Sequence, residues 1–177
     1  MKRIDELSFE EQELHKQWMR LALVEAEKAA EMGEVPIGAI IVKDGAILAR
    51  GHNLRESLRE ATAHAELIAI EAANQALDAW RIEGASLYVT VEPCPMCAGA
   101  IINARLSEVI YGTRDPKAGC VGSLMNLLED ERFNHQVEVI EGVLQEDCSL
   151  IISTFFRQLR QQRKEAKRLQ KEKLSTD

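Results

Sequence analysis

The spacing of apolar residues predicts a helix first, then strands, then alternation between the two. Ser8 followed by Glu11 is a capping-box signature, and Leu14, Trp18, Leu21 and Val24 trace one helical face until Met32 and Gly33 close the segment. Residues 35–42 and 46–50 are apolar, β-rich runs. The Lys43-Asp44-Gly45 between them favours a tight reversal, so a hairpin is expected. Thr62 can cap a second helix through Leu67, Ile70 and Ala73, and residues 87–91 read as a short buried strand ending at Glu92-Pro93. A helix crossing between strands implies that they pair in parallel. Pro95 suits the first turn of a third helix reaching about Ala104, and residues 109–112 form the next strand. Residues 119–128 read as a loop with a short helix, 137–141 as a fifth strand, and 147 to about 168 as a long terminal helix carrying Leu150, Ile151, Phe155, Phe156 and Leu159. The expected fold is α/β: a three-layer α/β/α sandwich with a mixed five-stranded sheet.

At 177 residues, 46% hydrophobic and 29% charged, without internal repeat or linker, the whole chain is expected to form one domain. No stretch approaches the roughly 18 apolar residues of a membrane span, and MKRIDELSFEEQE lacks the apolar run of a signal peptide. A cytoplasmic protein without membrane attachment is expected. Four cysteines in such a chain point to metal ligands or buried thiols rather than to disulfides. The net charge of −7 argues against a nucleic-acid partner, but residues 157–173 hold eight Lys and Arg against two acidic residues, leaving −13 for the remainder. Two readings of this basic end stay open, a solvated terminal helix with a charged tail or a surface for phosphates.

The candidate chemistry lies at two predicted helix starts. His64-Ala65-Glu66 opens the second helix and Pro93-Cys94-Pro95-Met96-Cys97 the third. With Cys94 as cap and Cys97 as third helical residue, both sulfurs face one helix end, whose partial positive charge favours the metal-binding thiolate. His64, Cys94 and Cys97 make three ligands, and a structural zinc site normally has four, so the fourth position is left for water. Zinc can lower the pKa of such a water from about 15.7 to about 7, supplying hydroxide at neutral pH. Glu66 is then placed to take that proton and return it to the substrate. Cys120 and Cys148 read as buried or bystander thiols. Together H-x-E and P-C-x-x-C form the signature of zinc-dependent nucleobase deaminases.

Around these motifs, from about Trp18 to Arg160, the chain resembles the bacterial tRNA-specific adenosine deaminases. The resemblance is carried by Gly33-Glu34-Val35-Pro36-Ile37-Gly38-Ala39, Gly51-His52-Asn53, Ala61-Thr62-Ala63-His64-Ala65-Glu66, Tyr88-Val89-Thr90-Val91-Glu92-Pro93-Cys94, Arg114-Asp115, Gly122-Ser123-Leu124-Met125 and Phe155-Phe156-Arg157. It implies a cytidine-deaminase-like fold and conversion of adenosine to inosine at the wobble position of an arginine tRNA, with one Zn2+ per subunit. It further implies that Asn53 and the backbone N–H of Ala65 hold the flipped base, that Glu34, Val35 and Pro36 line the pocket wall, and that Asp115 lies beside the anticodon sugar-phosphate. Phe155, Phe156, Arg157 and Arg160 would come near the anticodon loop. A homodimer is implied, with Met96, Met125, Leu127 and Leu128 as interface residues. The residues themselves leave alternatives open: Asn53 as a strand-end turn residue, Arg114-Asp115 as a turn ion pair, and the phenylalanines and interface residues as core. Two rival functions also stand, a deaminase of free cytosine, guanine or a nucleotide, and a non-catalytic zinc domain that binds RNA. Glu66 argues against the second, which needs no carboxylate beside an open coordination position.

Overall fold

A computed structural model describes residues 1–174; the last three residues of the expected charged tail lie outside it. Helix α1 (Phe9–Glu31) starts with the expected capping box, in which Glu11 N–H donates to Ser8 Oγ at 3.3 Å and Ser8 N–H to Glu11 Oε2 at 2.9 Å. The hairpin follows as β2 (Gly38–Lys43) and β3 (Ala46–His52), turning through Asp44 and Gly45 at φ 51° and 72°, the left-handed pair that matches the twist of a two-residue hairpin. β2 begins three residues later than the apolar run because Pro36 has no N–H to give a ladder and Ile37 N–H closes a turn onto Val35 O at 2.8 Å.

A one-turn helix α2 (Arg55–Leu58) leads to α3 (Ala65–Leu77), β4 (Ala85–Val91), α4 (Pro95–Asn103), β5 (Glu108–Thr113), β6 (Glu138–Glu141) and α5 (Gln145–Leu174). The sheet has six strands, not five: Lys2–Arg3, here β1, pairs with β6, giving the order β1-β6-β5-β4-β2-β3. A two-residue edge strand is too short to leave an apolar period, so the pattern could not reveal it. β4 pairs in parallel with β5 as expected. The strands joined through α3 run the same way but do not pair, because β2 lies between them and is antiparallel to both. The short helix expected within 119–128 is absent. That segment reverses instead through an isolated bridge between Val121 and Asn126, with Gly122 N–H donating to Met125 O and Leu127 N–H to Cys120 O at 2.9 Å each. The capping residue of α3 is His64 rather than Thr62.

Alternate residues of the central strands serve opposite faces. Ala39, Ile41, Leu87, Val89, Val109 and Tyr111 join a core with α3 and α4, whereas Ile40, Val42, Tyr88 and Ile110 pack on Met19 and Ala22 of α1 and Cys148 of α5. Burial on both faces explains why these strands read as unbroken apolar runs. α3 lies so close on β3 that a Cβ on Gly51 would stand 2.3 Å from Ala65 O and 2.7 Å from Ala69 N. β3, β4 and β5 run in one direction, so their C-terminal ends open onto a single edge of the sheet.

Candidate active site

At that edge the chain leaves β3 through Asn53 toward α3, leaves β4 through Glu92-Pro93 toward α4, and leaves β5 through Arg114-Asp115. His64 is the N-cap of α3 and Cys94 the N-cap of α4, with Pro95 in the first helical position and Cys97 one turn in. The two helix mouths converge. His64 Nδ1 lies 3.7 Å from Cys94 Sγ and 3.6 Å from Cys97 Sγ, and the sulfurs are 3.6 Å apart. Among the described residues these three form the one cluster able to hold a metal ion. Tetrahedral zinc bonds of about 2.3 Å to sulfur and 2.0–2.1 Å to nitrogen require separations of roughly 3.5–3.8 Å, so the donor set fits that ion.

The electrostatics of the trio suit a cation. The side-chain bond with Cys97 holds Cys94 down to about 4 against the effect of burial, and His64 adds to the pull. Cys97 itself is pushed up, by that same bond and by burial. His64 is raised by its contact with Cys94, against burial, and by the charge of Glu66. Glu66 is 4% exposed; burial raises its carboxyl to about 7, with the negative Cys94 adding and His64 opposing.

His64, Cys94 and Glu66 face a cavity of about 550 Å3, with Cys97 fully buried beside them. Glu34, Val35, Asn53, His64, Glu66, Cys94, Asp115 and Phe156 all line it, so most of the residues expected at the site meet in one place. Glu34 is 1% exposed and its carboxylate accepts from Asn53 Nδ2 at 3.2 Å, Glu56 N at 3.2 Å and Ser57 N at 2.6 Å. Burial pushes this acid up, but the donors from Ser57 and Glu56 and the charge of Arg55 outweigh it and leave Glu34 below the ordinary carboxylate range. Glu34 therefore both orients Asn53 and caps α2. Pro36 and Ala65 do not line the cavity; both are buried behind it.

The remaining expectations divide. Phe155 and Phe156 stack edge to face with centroids 5.5 Å apart but line different hollows: Phe156 reaches the cavity, while Phe155 lies with Leu23 and Ala30 in a groove between α1 and α5. Neither is buried, so the core reading fails for both. Arg157 and Arg160 are exposed and outside the cavity. Arg114 and Asp115 are not a turn ion pair: Arg114 binds Glu141 through two bonds of 2.7 and 2.8 Å, and Asp115 Oδ1 accepts from Lys117 N and Ala118 N at 2.9 and 3.2 Å. Leu128 is fully buried in the core and Leu127 packs against it, whereas Met125 stays 53% exposed and Met96 half-buried. Cys120 and Cys148 are buried thiols outside the metal trio. Sequence reasoning missed Glu92 and Glu141. An acid at the end of the apolar run 87–91 was the available signal for Glu92, since a carboxylate buried there requires donors.

Fold and site together define the class, a deaminase, and the MafB19-like deaminase family matches residues 13–160. The chain is 56% identical over 151 residues to the tRNA-specific adenosine deaminase of Bacillus subtilis (strain 168), covering 85% of this chain and 94% of that protein. It is 42% identical over 160 residues to the tRNA-specific adenosine deaminase of Haemophilus influenzae, covering 90% and 92%. A solved structure from studies of A-to-I editing by tRNA:A34 deaminases at the wobble position superposes with a TM-score of 0.74 at 44% identity, covering 76% of this chain and 98% of that one. The chain belongs to the family of tRNA-specific adenosine deaminases.

Proposed function

We propose that this chain, as one deaminase domain, converts adenosine to inosine at the wobble position of a tRNA, an arginine tRNA by the family resemblance. The observation that carries the reading is the cluster of His64, Cys94 and Cys97 beside a cavity that His64, Cys94 and buried Glu66 line. Zn2+ held by the His/Cys/Cys trio would acidify a water there, making a nucleophile available near neutral pH. Glu66 moves the protons. It takes one from the attacking water and delivers it to a ring nitrogen, then takes the second from the newly added hydroxyl and gives it to the departing amine, so that water is consumed and ammonia released. Asn53, with one amide hydrogen committed to Glu34, offers its carbonyl and remaining N–H to the base edge. The N–H of Ala65 belongs to the first turn of α3 and has no intrahelical partner; since Ala65 lies behind the cavity, its contact with the purine rests on the family resemblance alone. Asp115, through its bonds to Lys117 and Ala118, shapes the wall beside the sugar-phosphate.

The partner in this reading is the tRNA anticodon loop, reached by Phe156 at the mouth and by Arg157 and Arg160 farther along α5. A homodimer in the cytoplasm completes it, with exposed Met125 and half-buried Met96 as interface candidates. Among the described residues no helix is long and apolar enough to cross a membrane. The test is to incubate the protein with total bacterial tRNA and locate inosine by sequencing, with guanine, cytosine and cytidine assayed in parallel. Inosine at the wobble position is expected, and Glu66→Ala should keep metal and fold while losing nearly all turnover. Turnover of a free base or nucleoside without tRNA editing overturns the proposal.

A further inference from the structure

Glu92 stands immediately before Pro93-Cys94, is 3% exposed, and spends its carboxylate on one loop. Oε1 accepts from Val121 N at 3.0 Å and Ser123 N at 2.8 Å, and Oε2 accepts from Asp115 N at 3.0 Å and from the Ser123 hydroxyl. Cys120 N–H adds a bond to Pro93 O at 2.9 Å. The loop is pressed against the acid so closely that a Cβ on Gly119 would stand 2.3 Å from Glu92 Cδ and Oε2. The same loop carries Asp115, Pro116, Lys117 and Ala118, which form one wall of the cavity.

We infer that Glu92 is a positioning residue: it ties the substrate-facing wall 115–118 to the segment that presents Cys94, so that wall and metal donors keep one register. The inference rests on the deaminase reading above. The physical ground is that a buried carboxylate committed to three backbone N–H groups and one hydroxyl of a single loop fixes a loop that has no helix or ladder of its own. No substrate contact is required of it. Four donors on one acid also explain why an acidic side chain sits at the end of an apolar strand.

Glu92→Gln tests this in the zinc-loaded full chain, because an amide keeps the shape but turns one accepting oxygen into a donor facing donors. Three readouts are compared: zinc per chain, amide exchange mapped by peptide, and KM against kcat on an anticodon stem-loop. The expected result is unchanged zinc, faster exchange confined to residues 113–123, and KM raised about tenfold with kcat within about threefold. Gly119→Ala pushes on the same contact from the loop side and should give the same signature; it also serves if Glu92→Gln fails to fold. Unchanged KM in folded variants reduces Glu92 to a structural group and overturns the inference. Loss of zinc overturns it too, by assigning Glu92 to Cys94 alone. If the wild-type chain edits no tRNA, the functional reading fails separately. The exchange map and zinc content then still decide whether Glu92 holds the loop.

Discussion

Substituting Gly51 by Ala perturbs the active site from behind, without touching any group that lines it. The added Cβ would lie 2.3 Å from Ala65 O and 2.7 Å from Ala69 N, about 1 Å inside an ordinary contact of 3.4 Å. Both neighbours are backbone atoms of α3, so no side-chain rotation can relieve the clash; the helix must lift from β3. Overpacking of this kind costs about 1–3 kcal/mol. The first turn of α3 carries Ala65 and Glu66, and His64 caps it. A lift of about 1 Å therefore shifts Glu66, the proposed proton carrier, and His64, a proposed metal ligand, relative to Cys94 and Cys97 on α4, and a misplacement of that size can cost about 10²-fold in rate. Urea unfolding of the zinc-loaded protein measures the first quantity and kcat/KM on an anticodon stem-loop the second. A variant within about 0.5 kcal/mol of wild type that keeps full kcat/KM would refute the claim that the β3–α3 contact sets the register of the site.

Zinc is expected at about one per chain, and Cys94→Ser combined with Cys97→Ser should abolish it; elemental analysis showing stoichiometric metal in that variant would place the ion elsewhere. Glu141 is held below its ordinary 4.5 by the Arg114 guanidinium, against burial and with help from Tyr111. Its folded value being depressed, its contribution is present above pH 4.5 and lost as pH falls through the folded value. Glu141→Gln should thus cost about 1.5–3 kcal/mol at neutral pH and flatten the acid limb of a stability–pH profile, whereas an unchanged limb would contradict the pairing. Neutralising Arg157, Arg160, Arg163 and Lys164 should weaken binding of cognate and non-cognate tRNA alike and lower the salt slope by up to roughly 3, because fewer counterions are released. An unchanged affinity and slope would move the RNA off α5.

The parts of the fold legible in sequence are those whose signal is local. The capping box of α1, the Asp-Gly reversal and Pro95 at the start of α4 each specify backbone geometry through neighbouring residues. The clustering of His64, Cys94 and Cys97 was legible because two short motifs sit at two helix starts. What escaped depended on partners remote in sequence. β1 exists only because β6 offers an edge, and residues 119–128 take their shape from Glu92 and Pro93, about 30 positions earlier. The capping of α3 was misplaced because Thr62 has the better capping side chain, whereas His64 occupies the cap position with no side-chain bond to the helix. The role of Glu34 likewise appears only when Asn53, Glu56 and Ser57 are brought to it.

Beyond Leu159, α5 runs on with every residue from Arg160 to Lys171 exposed, so that stretch adds nothing to the core, though Gln161 Nε2 donates to Glu165 Oε1 at 3.4 Å within it. Several of its charges oppose its winding. Arg160 and Lys164, Arg163 and Lys167, and Lys167 and Lys171 are like-charged neighbours one turn apart. Each pair opposes the helix by about 0.2–0.5 kcal/mol. The arm is consequently a helix held under self-repulsion, wound from its packed N-terminal half and prone to fray toward its far end. A polyanion laid along it would remove the repulsion and firm the winding, and so would added salt. Helicity of this arm should rise with ionic strength even as its grip on phosphate falls.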